Sequence, residues 1–151
     1  MTGNGGVRGD VSEALAYRNV EKLLVLCLVQ QDGMVADTSV SASICDRVAQ
    51  LAAVGTDIPV AAISIGDPQV VAPGRLTILV HAAISHADGK PKMALVMRPY
   101  RPSLPEADVL FGATPRIADP RDDAAISRAI SAGLDEILPW RSQPGQFRQI
   151  Q

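Results

Sequence analysis

The chain has 151 residues, of which 47% are hydrophobic and 20% charged, which is enough for one domain with a substantial core and short for two. A formal charge of −2 gives no overall attraction to nucleic acid or to an anionic membrane surface, so any such partner needs a local patch. Aromatic residues make up only 3%, namely Tyr17, Tyr100, Phe111, Trp140 and Phe147, which argues against a base-stacking platform, an aromatic cage or a carbohydrate-binding face.

Residues 1–9 are Gly-rich and expected to form a flexible leader. Their start, Met1-Thr2-Gly3-Asn4-Gly5-Gly6, has neither the basic region nor the apolar stretch of a signal peptide, so this form is expected in the cytoplasm unless an export signal has been removed upstream, which would place it in the periplasm or cell envelope. A single α/β domain is expected over 10–140. Asp10 and Glu13 resemble a capping pair before a short helix at Ala14–Tyr17. The run Leu23–Val29 is far too short for the roughly twenty residues that span a bilayer; within Lys22–Gln30 it predicts a strand covered on both faces, ended by a turn at Gln31-Asp32-Gly33. Asp37, Thr38 and Ser39 then offer caps for an amphipathic helix of about four turns, with Val40, Ile44, Val48 and Leu51 on one face before Gly55. A second apolar run, Ile58–Ile65, completes a strand–helix–strand crossover. Gly66-Asp67-Pro68 and Pro73-Gly74 punctuate a loop with a brief extended piece at Gln69–Val71.

Leu76–Arg101 predicts a long β-hairpin about Ala87-Asp88-Gly89-Lys90, because Asp-Gly supplies the positive φ angles of a tight turn. Leu76, Ile78, Val80, Ala82 and Ile84 share one face of its first strand, and Thr77, Leu79, His81, Ala83 and Ser85 the other. On the second strand Met93, Leu95 and Met97 alternate with Lys92, Arg98 and Tyr100, so one side of the hairpin is expected to be wet or lightly covered. Pro99, Pro102 and Pro105 are expected to end the strand. Ala107–Gly112 is a weaker strand. Asp119 as cap, Pro120 at the first helical position, Asp122 in the first turn and Ile126, Ile130, Leu134 and Ile137 in register mark a final helix stopped by Pro139. From Trp140 on the chain is a polar tail, with 141–151 outside the domain; Trp140 and Phe147 there hint at an anchoring segment, packing back on the domain's own core being the plainer outcome.

Little in the sequence carries chemistry. Cys27 and Cys45 lack metal-ligand spacing and read first as two buried free thiols, with a single bridge left open. His81 and His86 are the only histidines; five residues apart on one strand, they point to opposite faces, His81 reading as a partly buried ring satisfied by a neighbour and His86 as solvated. A nucleophile elbow, a phosphate loop and a calcium loop are all missing, so no catalytic residue, metal or cofactor is assigned. Asp67, Asp88, Asp108, Asp119, Asp122 and Asp123 all fall at turns or helix starts, where carboxylates cap backbone N–H groups. The one group with functional character is Lys90, Lys92, Arg98, Tyr100 and Arg101, a candidate surface for a phosphate-bearing or acidic partner, set against a solvated strand whose charges discourage edge pairing.

The predicted fold is α/β with some α+β character: a mixed sheet of about five strands with two main helices packed on it. In this order of elements, carried by Leu23–Val29, the helix after Asp37, the hairpin about Asp88-Gly89 and the helix from Pro120, the chain resembles the small N-terminal domain of the TolB family and the related CsgG and LpoB envelope lipoproteins over about Lys22 to Trp140. That resemblance implies a non-enzymatic protein-interaction or assembly module of the bacterial cell envelope, with a protein partner; separately, an exposed strand edge leaves open a homo-oligomer paired across a two-fold axis. The alternative is a cytoplasmic regulatory or small-ligand-binding domain with a crevice near Gly66–Gly74. An enzyme would have to employ His81 with Asp67 or Asp108.

Overall fold

The computed structural model describes residues 17–102 and 112–141. The expected leader, the helix at Ala14–Tyr17 except for Tyr17, the strand Ala107–Gly112 except for Gly112, Phe147 and the tail beyond Arg141 lie outside the described residues. The fold is α/β: among the described residues, one mixed six-stranded sheet with two main helices.

Strand β1 (Lys22–Gln31) is the centre of the sheet. Along its whole length one edge pairs in parallel with β4 (Arg75–Ser85), from Lys22↔Arg75 to Gln31↔Ile84. Its other edge is shared by β3 (Val60–Ile63), parallel to Leu23–Leu26, and by β2 (Met34–Val35), antiparallel to Gln30–Gln31. Beyond β4 lie β5 (Lys92–Tyr100) and then β6 (Arg116–Ala118), both antiparallel to their neighbours. Neither β2 nor β6 is visible as a strand in the sequence, since two and three residues are too few to show a period.

The period of two fixes which face is buried. Leu23, Val25, Cys27 and Val29 of β1 align with Leu76, Ile78, Val80 and Ala82 of β4, and these with Pro99, Met97 and Leu95 of β5. Apart from Pro99, these form a single apolar cluster with Ile44, Cys45, Val48 and Ala52 of α1 (Thr38–Ala52) and Ile126, Ile130, Leu134 and Ile137 of α2 (Asp123–Ile137). Both helices therefore lie on one face. The expectation that β1 is covered on both faces is corrected in part: on the opposite face Leu24 is fully buried, whereas Leu28 is 38% exposed.

Cys27 and Cys45 are joined by a disulfide with Cα atoms 5.8 Å apart, which corrects the free-thiol reading. Cys27 is at a helix-facing position of β1 and Cys45 follows Ile44 on the sheet-facing side of α1, so the two meet as soon as the helix docks. At the far end of α1, Trp140 Nε1 donates to the Ala52 carbonyl (2.9 Å) and Arg141 Nη1 to the Leu51 carbonyl (2.7 Å), satisfying acceptors that the last turn of a helix leaves open. Trp140 is thus packed on the domain, edge-on to Tyr17.

Four local readings change. The tight two-residue turn is at Asp32-Gly33, with φ of 51° and 80° between paired Gln31 and Met34; Asp88 and Gly89 also have positive φ, but their hairpin closes at Ser85↔Lys92 and so has a longer connection containing a 3₁₀ turn. Pro99 is inside β5 and does not end it. The Met97 carbonyl accepts from Ala113 N (2.8 Å) on the side away from β4, and Pro99, two residues on, faces that same side, so its missing N–H removes no β4 bond. Helix α2 is capped by Asp122, whose carboxylate accepts from Ala125 N (3.1 Å), while Asp119 is used by Arg121. The segment Gln69–Val71, expected to be extended, is a 3₁₀ turn that begins at Pro68, with Asp67 accepting from Gln69 N (2.9 Å).

Candidate functional site

The face of the sheet away from the helices is built by the other half of the alternation. Its rows across β1, β4 and β5 are Leu24, Thr77 and Tyr100, the first two fully buried; then Leu26, Leu79 and Arg98; then Leu28, His81 and Val96; then Gln30, Ala83 and Ala94, the last continuing to Ile117 of β6, so the face is covered at the Leu24–Thr77 end and open from Leu28 on. Leu28, Val96 and Ile117 are 38%, 39% and 68% exposed. Exposed Ala83, half-buried Ala94, an imidazole and branched apolar side chains therefore occupy the open part of this face.

The predicted cations are distributed around this surface. Lys92, Arg98 and Tyr100 stand on it as alternate, exposed residues of β5, as the period of two requires. Lys90 lies past the end of the strand at the hairpin tip, where with Lys92, Ser85, Ala87 and Asp88 it lines a polar concavity of about 410 Å³. Arg101 follows the other end of β5 and is half-buried. Lys92 and Arg98 are six residues apart, about 20 Å along a strand, so the five residues make an elongated cationic border and no convergent pocket. The apolar centre that they border was missed; the signal was there in Leu28 and Val96, which share the parity of Lys92 and Arg98 once register is known.

The cations divide into those with a carboxylate partner among the described residues and those without, Arg18, Lys22 and Arg128 belonging to the second group along with the cations of β5. Arg47, Arg75, Arg116, Arg121 and Arg141 each have a carboxylate partner, Asp123, Glu21, Glu136, Asp119 and Asp135 respectively. Lys90, Lys92 and Arg98 have none among the described residues. Hydrogen bonds from the Arg121 side chain and backbone hold Asp119 below the usual carboxylate range. Glu136 is also held low: partial burial pushes it up, but the Thr114 backbone N–H and hydroxyl, with Arg116, outweigh that.

His81 is exposed on the open face between Leu28 and Val96 and makes no hydrogen bond or ion pair among the described residues, which corrects the reading of a buried, satisfied ring. Asp67 is occupied with Gln69, and Asp108 lies outside the described residues. His86 is not merely solvated. Its Nδ1 is 2.8 Å from Asp32 Oδ2 and its backbone N donates to Asp32 Oδ1 (2.9 Å), tying one hairpin turn to the other. These bonds, backbone first, hold the Asp32 carboxyl below its usual range. The segment Gly66–Gly74, proposed from sequence as a crevice, is a crossover strapped to β1: Gln69 Oε1 accepts from Lys22 Nζ (3.1 Å) and the Gly74 carbonyl from Glu21 N (2.8 Å). Described residues line two further concavities. One of about 240 Å³ separates the starts of the two helices, over Ile84 and Met93 and beside Arg47; one of about 320 Å³ lies against the disulfide, between α1 and the end of β3. Among the described residues no group of three or more His, Cys, Asp or Glu could hold a metal ion, and no helix is long and apolar enough to cross a membrane.

No family model matches the sequence, and no curated protein does. Among solved structures the chain is similar to PelC dodecamers from Paraburkholderia phytofirmans, one of them a single-residue variant. Identity is 12% and the TM-score 0.43 for both, over 82% of this chain and 89% of that chain for the variant, and 81% and 89% for the other. A likeness at this level bears on neither activity nor partner.

Proposed function

We propose that the chain is a non-enzymatic protein-interaction or assembly module of a bacterial cell-envelope system, which docks a partner on the uncovered face of its sheet. The observation that supports this most is the bare face itself. Parallel strands such as β1 and β4 normally have cover on both sides, because their outward residues are apolar too. Here Leu28 and Val96 face solvent in the middle of the sheet, and an exposed apolar surface of this kind marks an interaction site. The disulfide supports the compartment, since such bonds persist outside the reducing cytosol. The resemblance in element order to the TolB N-terminal, CsgG and LpoB domains supports the same assignment.

Two measurements test it. Alkylation of thiols in intact cells of the native host, with and without reductant, is expected to find Cys27 and Cys45 protected until reduced; free thiols in vivo would remove the envelope assignment. A photoreactive residue at Val96 is expected to give a discrete cross-linked species in vivo, and one in place of exposed Val54 on the helix side is not. No product at Val96 would overturn the docking reading and turn attention to a small ligand in the apolar cleft between the helices.

A further inference from the structure

We infer that the occupant of the open face is an acidic amphipathic helix of a partner protein, about three to four turns long. This rests on the reading of that face as a docking surface and adds the chemistry of what docks. None of the six strands contains Asp or Glu, although the chain as a whole is net negative. The open face thus presents Arg98, Lys92 and His81 around an apolar centre of Leu28, Val96, Ala83 and Ala94, with no acidic residue at a strand position. Lys92 and Arg98 have no carboxylate partner among the described residues, so an incoming carboxylate displaces no existing ion pair.

Three occupants can be compared on this surface. A second copy placed face to face would set Lys92 and Arg98 against like charges, which costs affinity. A lipid surface needs a group of apolar side chains that protrude, whereas Leu28 and Val96 are only about two-fifths exposed and sit among longer Lys and Arg side chains, and Ile117, 68% exposed at the β6 edge, is a single residue. A helix can lower one apolar stripe onto the recessed centre, as α1 and α2 do on the opposite face, while its flanking carboxylates reach the basic border. The separation of Lys92 and Arg98, about 20 Å along the strand, matches about thirteen residues of helix at 1.5 Å per residue.

The experiment titrates the isotopically labelled full chain with three probes: a fifteen-residue helical peptide with Leu at i, i+4, i+7 and i+11 flanked by Glu, the same peptide with Lys for Glu, and vesicles of neutral and anionic lipid. The acidic peptide is expected to move the amides of Leu28, His81, Val96 and Ile117, to bind roughly tenfold tighter than the basic one at low salt, and to weaken as salt is raised. The double variant K92E/R98E, changed at exposed positions, is expected to reverse the preference. Shifts that map to the helices, equal binding of both peptides, or binding of vesicles and neither peptide would each overturn the inference. If Val96 cross-links in vivo while the peptides bind equally, the docking face stands and only the acidic occupant fails; if Val96 gives no product, the docking reading itself fails.

Discussion

Among the described residues Thr77 is the only buried polar one, with no exposed surface, and its hydroxyl has no hydrogen-bond partner there. An unsatisfied buried hydroxyl costs its desolvation, about 1–3 kcal/mol, so Thr77→Val, which keeps the shape and removes the group, is expected to leave stability unchanged or raise it by up to about 2 kcal/mol. Urea denaturation decides this, and a clear loss would mean the hydroxyl is satisfied in solution. Asp32 is the opposite case, an exposed carboxylate held in place by His86. Its carboxyl is held below the ordinary value, so the native state binds the proton less readily than the unfolded chain, and the contribution is present above about pH 4 and lost as pH falls through the lowered value. Asp32→Asn tolerates the positive φ at this turn and removes only the charge. The variant is therefore expected to be slightly less stable than the parent near pH 6, and the two are expected to converge in acid; a difference that persists below pH 2 would assign the effect to geometry. Neither residue's behaviour was legible in the sequence. Thr77 depends on what covers its face, and the Asp32–His86 contact joins positions 54 apart through two turns that only the β1–β4 pairing brings together.

At the scale of elements, the link between β1 and α1 is covalent as well as hydrophobic. Cys27 and Cys45 are 18 residues apart, and the chain-entropy account gives about 3 kcal/mol for a loop of that size. Replacing both with Ala is expected to cost about that amount and to make stability indifferent to reductant, whereas the parent loses a similar amount when reduced. An unchanged parent under reductant would show that docking of Ile44 and Val48 suffices. The positions of β1, α1, β4, β5 and α2 were legible, because each is long enough to show its period; of the caps the sequence offered, Asp37 begins α1 without a side-chain capping bond, and only α2 has one, from Asp122. Their partners were less so. The Asp-Gly pair of the longer hairpin drew the tight-turn prediction, yet the two-residue turn formed at Asp32-Gly33, where β2 needs only two pairs to close it. Likewise Asp119 looked like the cap because Pro120 follows it, but its carboxylate is taken by the Arg121 backbone and guanidinium, and the helix starts one turn later at Asp122.

Across the whole molecule, the two halves of the alternation separate into an apolar face covered by both helices and a basic, partly apolar one that is buried at its Leu24–Thr77 end and open from Leu28 on, and the candidate site is that open part. Its cations were legible from sequence. The apolar centre was not, because only register assigns Leu28, His81 and Val96 to one row. The covered face holds both helices and the major strands in one cluster, so they should melt together. The single tryptophan reports on this directly. Trp140 follows α2, donates to the Ala52 carbonyl at the end of α1 and meets Tyr17 edge-on, so its environment exists only while both helix ends and the start of β1 are in place. Trp140 fluorescence and far-ultraviolet circular dichroism are therefore expected to give one coincident transition in guanidinium. If the fluorescence changes first, the 3₁₀ turn Pro139–Arg141 detaches as a separate unit of lower stability, and α1 would then retain its fold with the carbonyls of Leu51 and Ala52 turned over to water.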